Sequence, residues 1–141
     1  MDNSPGASGR RLLIVDDDDG IRSLMEAIFK PLEIEVDFVG DGRMALNRIR
    51  CQDYDAIVLD LMLPEVNGFE VIRELKTMKP SLLSRTLVLT AAADPTLRDF
   101  HDGSLVNCVM RKPFELPAFV EAVLTCCSAA AVADGPSPVI H

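Results

Sequence analysis

The stretch "RRLLIVDDDDGIRSLM" (residues 10–25) sets an apolar run directly against four aspartates, and the aspartates against what reads as the start of a helix. Like charges placed side by side repel, and Asp is a poor strand residue. A carboxylate cluster at a strand's end therefore needs compensation. Either it faces solvent and caps the helix, or something cationic sits there.

Outward from this point the chain alternates between two periods. "LLIV" (residues 12–15) is a short continuous apolar run, as expected for a strand buried on both faces. Ile21, Leu24, Met25 and Ile28 recur at helical spacing, and Pro31 ends that helix soon after Phe29. "IEVDFV" (34–39) alternates like a strand, "GDGR" (40–43) turns the chain, and Met44, Ala45, Leu46 and Ile49 form a second helical stripe. "AIVLDL" (56–61) is the next buried strand, followed by a loop with Pro64 and Gly68 and a third helix marked by Phe69, Ile72 and Leu75 and closed by Pro80. "TLVLTA" (86–91) is a fourth strand, and Asp94-Pro95 opens a fourth helix through Leu97 and Phe100. "VNCVM" (106–110) is a fifth strand, and residues 116–127 make the last helix.

Five strands alternating with five helices at short intervals predict an α/β fold, a doubly wound five-stranded parallel sheet. Residues 1–9 are Gly/Ser/Pro-rich and read as a disordered lead-in, not a signal peptide. The domain is expected over 10–128, with 129–141 as a flexible tail. No apolar segment approaches the roughly 18 residues of a membrane span. The net charge of −8 argues against nucleic-acid binding by this chain, since phosphate contacts need a basic face. Cys51, Cys108, Cys126 and Cys127 show no C-x-x-C spacing and read as reduced thiols on buried faces in the cytoplasm.

In such sheets the ligand site lies outside the carboxyl ends of the strands, where strand order reverses. Residues 16–19 follow the first strand, Asp60 lies near the end of the third, Thr90 ends the fourth and Lys112 follows the fifth. Carboxylates, a hydroxyl and an ammonium thus converge on one rim. Asp16, Asp17 and Asp60 gathered within a few ångströms would repel by roughly 4 kcal/mol per pair at an effective dielectric near 20. A hard divalent ion relieves this, and Mg²⁺ is held by one or two carboxylates, a carbonyl and waters. A metal and a lysine together neutralise a phosphoryl group arriving on a carboxylate, and a hydroxyl donates to its oxygens. The set suits an aspartate that accepts phosphate. Asp18 and Asp19 read as helix caps and solvated charges.

The motifs "LLIVDDDDGIR", "AIVLDLMLPEVNGFEVI", "TLVLTA" and "VMRKPF", in this order, resemble the receiver domain of two-component response regulators, over about residues 10–128. The resemblance implies the flavodoxin-like receiver fold. It implies Asp60 as phosphoacceptor, Asp17 as a direct Mg²⁺ ligand, Asp16 acting on the metal mostly through water, and the Met62 backbone carbonyl as a further ligand. Thr90 and Lys112 would bind the phosphoryl oxygens, and Lys112–Pro113 would be a cis peptide. The implied partners are a histidine kinase or histidine phosphotransfer protein and a downstream protein, with a second copy of the chain as a further candidate. The receiver is expected to stand free or to be part of a larger hybrid kinase or regulator. It would signal by protein contact around the fourth helix and fifth strand.

One departure from the family pattern matters. Val109 occupies the position where many family members carry an aromatic residue that turns inward on activation, and a β-branched side chain has few χ1 choices. Met62 and Ala92 occupy the two positions that flank the path of a hydrolytic water; neither holds water well, so slow self-dephosphorylation is expected. Met62 also stands where an aspartate-nucleophile phosphatase would want its second acid. His101 reads as a helix-surface residue, and Phe69, Phe100 and Phe119 as core. A phosphate-independent interaction module of the same shape is the rival reading, disfavoured by the intact Asp60, Asp17, Thr90 and Lys112.

Overall fold

Strand order reverses beside the aspartate run. The computed structural model describes residues 9–63, 67–91 and 106–133. In it, strands β1 (Arg10–Val15), β2 (Ile34–Val39), β3 (Ala56–Asp60), β4 (Thr86–Ala91) and β5 (Cys108–Lys112) form one sheet in the order β2-β1-β3-β4-β5. Every pair is parallel. The chain steps from β1 to β2 on one side, then back across β1 to β3, so the crevice opens between the ends of β1 and β3.

Alternation along the central strands divides the core into two layers. Leu13, Val15, Ile57 and Leu59 face helices α2 (Gly42–Cys51) and α3 (Gly68–Met78), with Ala45, Ile49, Val71, Ile72 and Leu75 buried against them. Leu12, Ile14, Ala56 and Val58 face the opposite layer, where Met25 and Phe29 of α1 (Arg22–Phe29) and Phe119, Val123 and Cys126 of the last helix are buried. Residues 12–15 and 56–60 are buried throughout, which is why they read as unbroken apolar runs rather than alternating ones.

Among the described residues the expected elements recur with three adjustments. Pro80 ends α3 but also starts a short helix α4 (Pro80–Leu83), where its fixed φ suits the first turn. The fifth strand lies two residues later than its apolar run suggested, so Lys112 ends β5 instead of following it. The last helix, α5, runs Leu116–Ala133, past the expected boundary at 128, because its alanines are the strongest helix formers. Leu24 and Met44, on the apolar stripes of α1 and α2, are 48% and 47% exposed. Phe119 is buried and Phe69 partly so. The expected helix through Leu97 and Phe100, together with Ala92 and His101, lies outside the described residues. Among those described, no helix is long and apolar enough to cross a membrane.

Candidate functional site

The end of β1 places the first carboxylates. The Asp16 amide donates to Val39 O at 3.0 Å, extending the ladder one residue beyond the strand. Asp16 Oδ1 accepts from the Asp18 amide at 3.0 Å, and Asp18 Oδ1 from the Gly20 amide at 2.9 Å. Asp18 thus caps the 3₁₀ turn Asp19–Ile21 that leads into α1, as its position in the run suggests. These local bonds leave Asp16 1% exposed and Asp17 facing solvent.

Asp60 is set by the end of β3 and by the loop that turns into α3. The Leu61 amide continues the ladder to Leu89 O at 3.0 Å, and the Met62 amide donates to Asp60 Oδ1 at 3.0 Å. Asn67 caps α3 through a reciprocal capping box with Glu70, and the Gly68 amide donates to Leu61 O at 3.0 Å. A Cβ on Gly68 would lie 2.6 Å from Leu61 Cα and 2.8 Å from Asp60 O, so only glycine lets the helix approach the strand this closely. Asp60 is 4% exposed.

Lys112, at the end of β5, closes the group. Its Nζ lies 2.9 Å from Asp60 Oδ2 and 3.5 Å from Asp16 Oδ2. Asp16, Asp17 and Asp60 each offer an oxygen within 4.8 Å of the others. Burial pushes the Asp16 carboxyl above its usual range, and the nearby Asp60 charge adds to this; the Asp18 amide and Lys112 pull the other way. Burial alone would lower the Lys112 ammonium, but its hydrogen bond to Asp60 and the charges of Asp60 and Asp16 outweigh that and hold it above its ordinary value. Three carboxylates against one ammonium leave two formal negative charges to be balanced. The donors are all hard oxygens, the set that a divalent cation of the Mg²⁺ or Ca²⁺ type prefers.

Thr90 is fully buried one residue before the end of β4. The register pairs its neighbours Leu89 with Asp60 and Ala91 with Lys112, which sets Thr90 between the strands that carry them. A cleft of about 620 Å³ opens over the group, lined by Asp16, Asp18, Asp60 and Lys112 and by Ile21, Met62, Pro113 and Phe114. Met62 is 63% exposed at its mouth. The Lys112–Pro113 peptide is cis, as the resemblance implied. Val109 is exposed on β5. Ile21 and Phe114 were not anticipated as cleft residues. Phe114 stacks on Phe119 with ring centroids 4.9 Å apart, tying the rim to the core beneath α5, and its position directly after Lys112-Pro113 was the available signal.

Residues 12–124 match the response regulator receiver domain family. The chain belongs to that family. It is 36% identical over 109 residues to the transcriptional regulatory protein TcrA of Mycobacterium tuberculosis, covering 77% of this chain and 42% of that protein. It is 32% identical over 105 residues to the sensor protein EvgS of Escherichia coli O157:H7, covering 74% of this chain and 9% of that one. The chain thus spans less than half the length of either relative, and its like occurs within both regulators and sensors. Among solved structures it resembles the receiver domain of the sensor histidine kinase PA1611 from Pseudomonas aeruginosa PAO1, with a TM-score of 0.73 and 26% identity over 85% of this chain and 98% of that one. That structure holds a magnesium ion coordinated in its active-site cleft.

The four cysteines are free thiols. Cys126 and Cys127 are buried and Cys108 half-buried, in keeping with the reading as small apolar residues, but Cys51 ends α2 exposed. Helix periodicity alone did not separate Cys51 from the buried face.

Proposed function

We propose that Asp60 accepts a phosphoryl group from the phosphohistidine of a histidine kinase or histidine phosphotransfer protein, and that the modified domain signals by protein contact in the cytoplasm. The observation that carries this reading is the single ammonium of Lys112 set between two buried carboxylates, Asp60 and Asp16, with Asp17 beside them.

Asp60 acts as the nucleophile. The Met62 amide fixes one of its carboxylate oxygens and Lys112 contacts the other, so the group is oriented before any donor arrives. An Asp60 oxygen forms a bond to phosphorus as the phosphorus–nitrogen bond to the donor imidazole breaks. Lys112 then passes from the carboxylate to the phosphoryl oxygens, and Thr90 donates its hydroxyl to them. In this reading Asp16, Asp17, Asp60 and the Met62 carbonyl would hold Mg²⁺, with Asp16 acting mostly through water. The ion supplies charge neutralisation for the transferring phosphoryl group. The fit rests on the convergent oxygens and the charge imbalance of the cluster.

The test is incubation with acetyl phosphate and Mg²⁺ followed by intact-mass measurement. One phosphoryl adduct is expected, absent from Asp60→Asn and abolished by a chelator. An undiminished adduct in Asp60→Asn overturns the assignment.

A further inference from the structure

Met62 sits two residues beyond Asp60 and helps to line the cleft over Asp60, Asp16 and Lys112. Its amide is bound to Asp60 Oδ1 at 3.0 Å, so the side chain starts from a fixed point beside the carboxylate. At 63% exposure it is the most exposed methionine among the described residues; Met44 follows at 47%, and Met25 is 3% exposed. Apart from the charged residues Asp16, Asp18, Asp60 and Lys112, the cleft is lined by Ile21, Met62, Pro113 and Phe114, all apolar. A thioether there is at most a weak acceptor. The same thioether is open to oxygen-transfer chemistry.

Building on the reading of Asp60 as phosphoacceptor, we propose that Met62 is an oxidation site through which peroxide-class oxidants shorten the life of the phosphorylated state. A sulfur lone pair of Met62 attacks one oxygen of hydrogen peroxide and the oxygen–oxygen bond breaks. The sulfur is oxidised by two electrons to the sulfoxide, and the peroxide is reduced to water. The product replaces a flexible apolar end with a strongly polar sulfur–oxygen group. That oxygen accepts a hydrogen bond from a water in the cleft and holds it near phosphorus, which the thioether does poorly. The water forms a bond to phosphorus as the bond to the Asp60 oxygen breaks. Inorganic phosphate leaves, the Asp60 carboxylate is restored, and the water's proton passes to solvent. Methionine sulfoxide reductases return the thioether, so the change is reversible.

The experiment treats the full chain with hydrogen peroxide, removes the oxidant, and locates added oxygen by peptide mass. Treated and untreated protein are then phosphorylated with acetyl phosphate and Mg²⁺, freed of donor, and followed for loss of the adduct. Oxidised wild type should decay roughly twofold to tenfold faster, about what one neutral hydrogen bond supplies. Reductase treatment should restore the slow rate, Met62→Leu should decay alike before and after peroxide, and Met44→Leu should keep the acceleration. Equal or slower decay after oxidation overturns the inference, as does peroxide-accelerated decay in Met62→Leu or a Met62 that stays unoxidised. If untreated wild type forms no adduct, the reading of Asp60 and this inference fall together; an adduct whose decay ignores oxidation removes the inference alone.

Discussion

Lys112 Nζ stands 2.9 Å from Asp60 Oδ2, and the two residues are 52 positions apart on strands that are not neighbours in the sheet. The same ammonium lies 3.5 Å from Asp16 Oδ2. Removing it in Lys112→Ala leaves two buried carboxylates facing each other. Stability without metal should fall by about 1–3 kcal/mol, less than for a fully buried pair because Lys112 is 38% exposed. Mg²⁺ binding should be unchanged or tighter, since a positive neighbour is gone, while phosphorylation is impaired. Titrating Mg²⁺ into the variant checks this; clearly weaker binding contradicts the electrostatics.

Gly68 is the contact point between α3 and the backbone at Asp60. Gly68→Ala forces a Cβ to 2.6 Å from Leu61 Cα, and backbone cannot swing aside as a side-chain end can. Overpacking of this kind costs about 1–3 kcal/mol. Urea unfolding should show that loss, and the acetyl phosphate reaction should slow with it because Asp60 moves. A variant as stable as wild type would mean that the helix shifts freely.

Tyr54 is the only tyrosine and the chain has no tryptophan, so tyrosinate absorbance reports this one group. Its hydroxyl donates to Asp37 Oδ2 at 2.7 Å. Burial, helped by the Asp37 hydrogen bond and charge, pushes the phenol from 10.0 up to about 12. The folded state therefore holds the proton more tightly than the unfolded state. The corresponding stability is fully present below pH 10.0 and is lost as pH rises towards about 12. Absorbance should titrate near 12 in folded protein and near 10.0 in denaturant. Coincident titrations would show that Tyr54 is not held as described.

The cysteines should separate by reactivity. Burial raises Cys126 to about 12 and Cys127 to about 11, which leaves little thiolate at neutral pH. Iodoacetamide should label Cys51 quickly in native protein, Cys108 more slowly, and Cys126 and Cys127 only after unfolding. Rapid native labelling of Cys126 would show that α5 opens readily.

The architecture was legible because its signals are local and repeated. Runs such as residues 12–15 and 56–60 are buried on both faces and so carry no alternation to misread. Asp16, Asp17 and Asp60 were legible because parallel topology sends every strand's carboxyl end to one rim. Lys112 was placed beside a strand rather than in it, because β5 is half-exposed and its charged end does not look like strand. Less legible was the opposite end of the sheet. There Asp37 Oδ2 takes the Tyr54 hydroxyl together with Arg11 at 3.3 Å and Arg48 at 3.5 Å. Arg85 donates to the carbonyls of Tyr54, Asp55 and Ser81. Ser81 aside, these partners lie 11 or more residues apart in sequence, and isolated charges in an amphipathic pattern read as solvated surface.

The sheet order holds the two signs of charge with unequal firmness. Strands β1, which Asp16 directly follows, and β3, which ends in Asp60, each have a ladder on both sides. Among the described strands β5 pairs with β4 alone, and its residues Val109 and Arg111 are exposed. The anions are thus built into the stiff middle of the molecule and the cation into its compliant margin. A phosphoryl group on Asp60, as proposed, would draw Lys112 away from a carboxylate and so pull on an edge strand that is paired on one side only. Phe114, which follows Pro113 directly, and α5, which begins at Leu116, would be coupled to that pull. Under the proposed function the response would travel outward along that edge, while the frame that holds Asp60 keeps its shape.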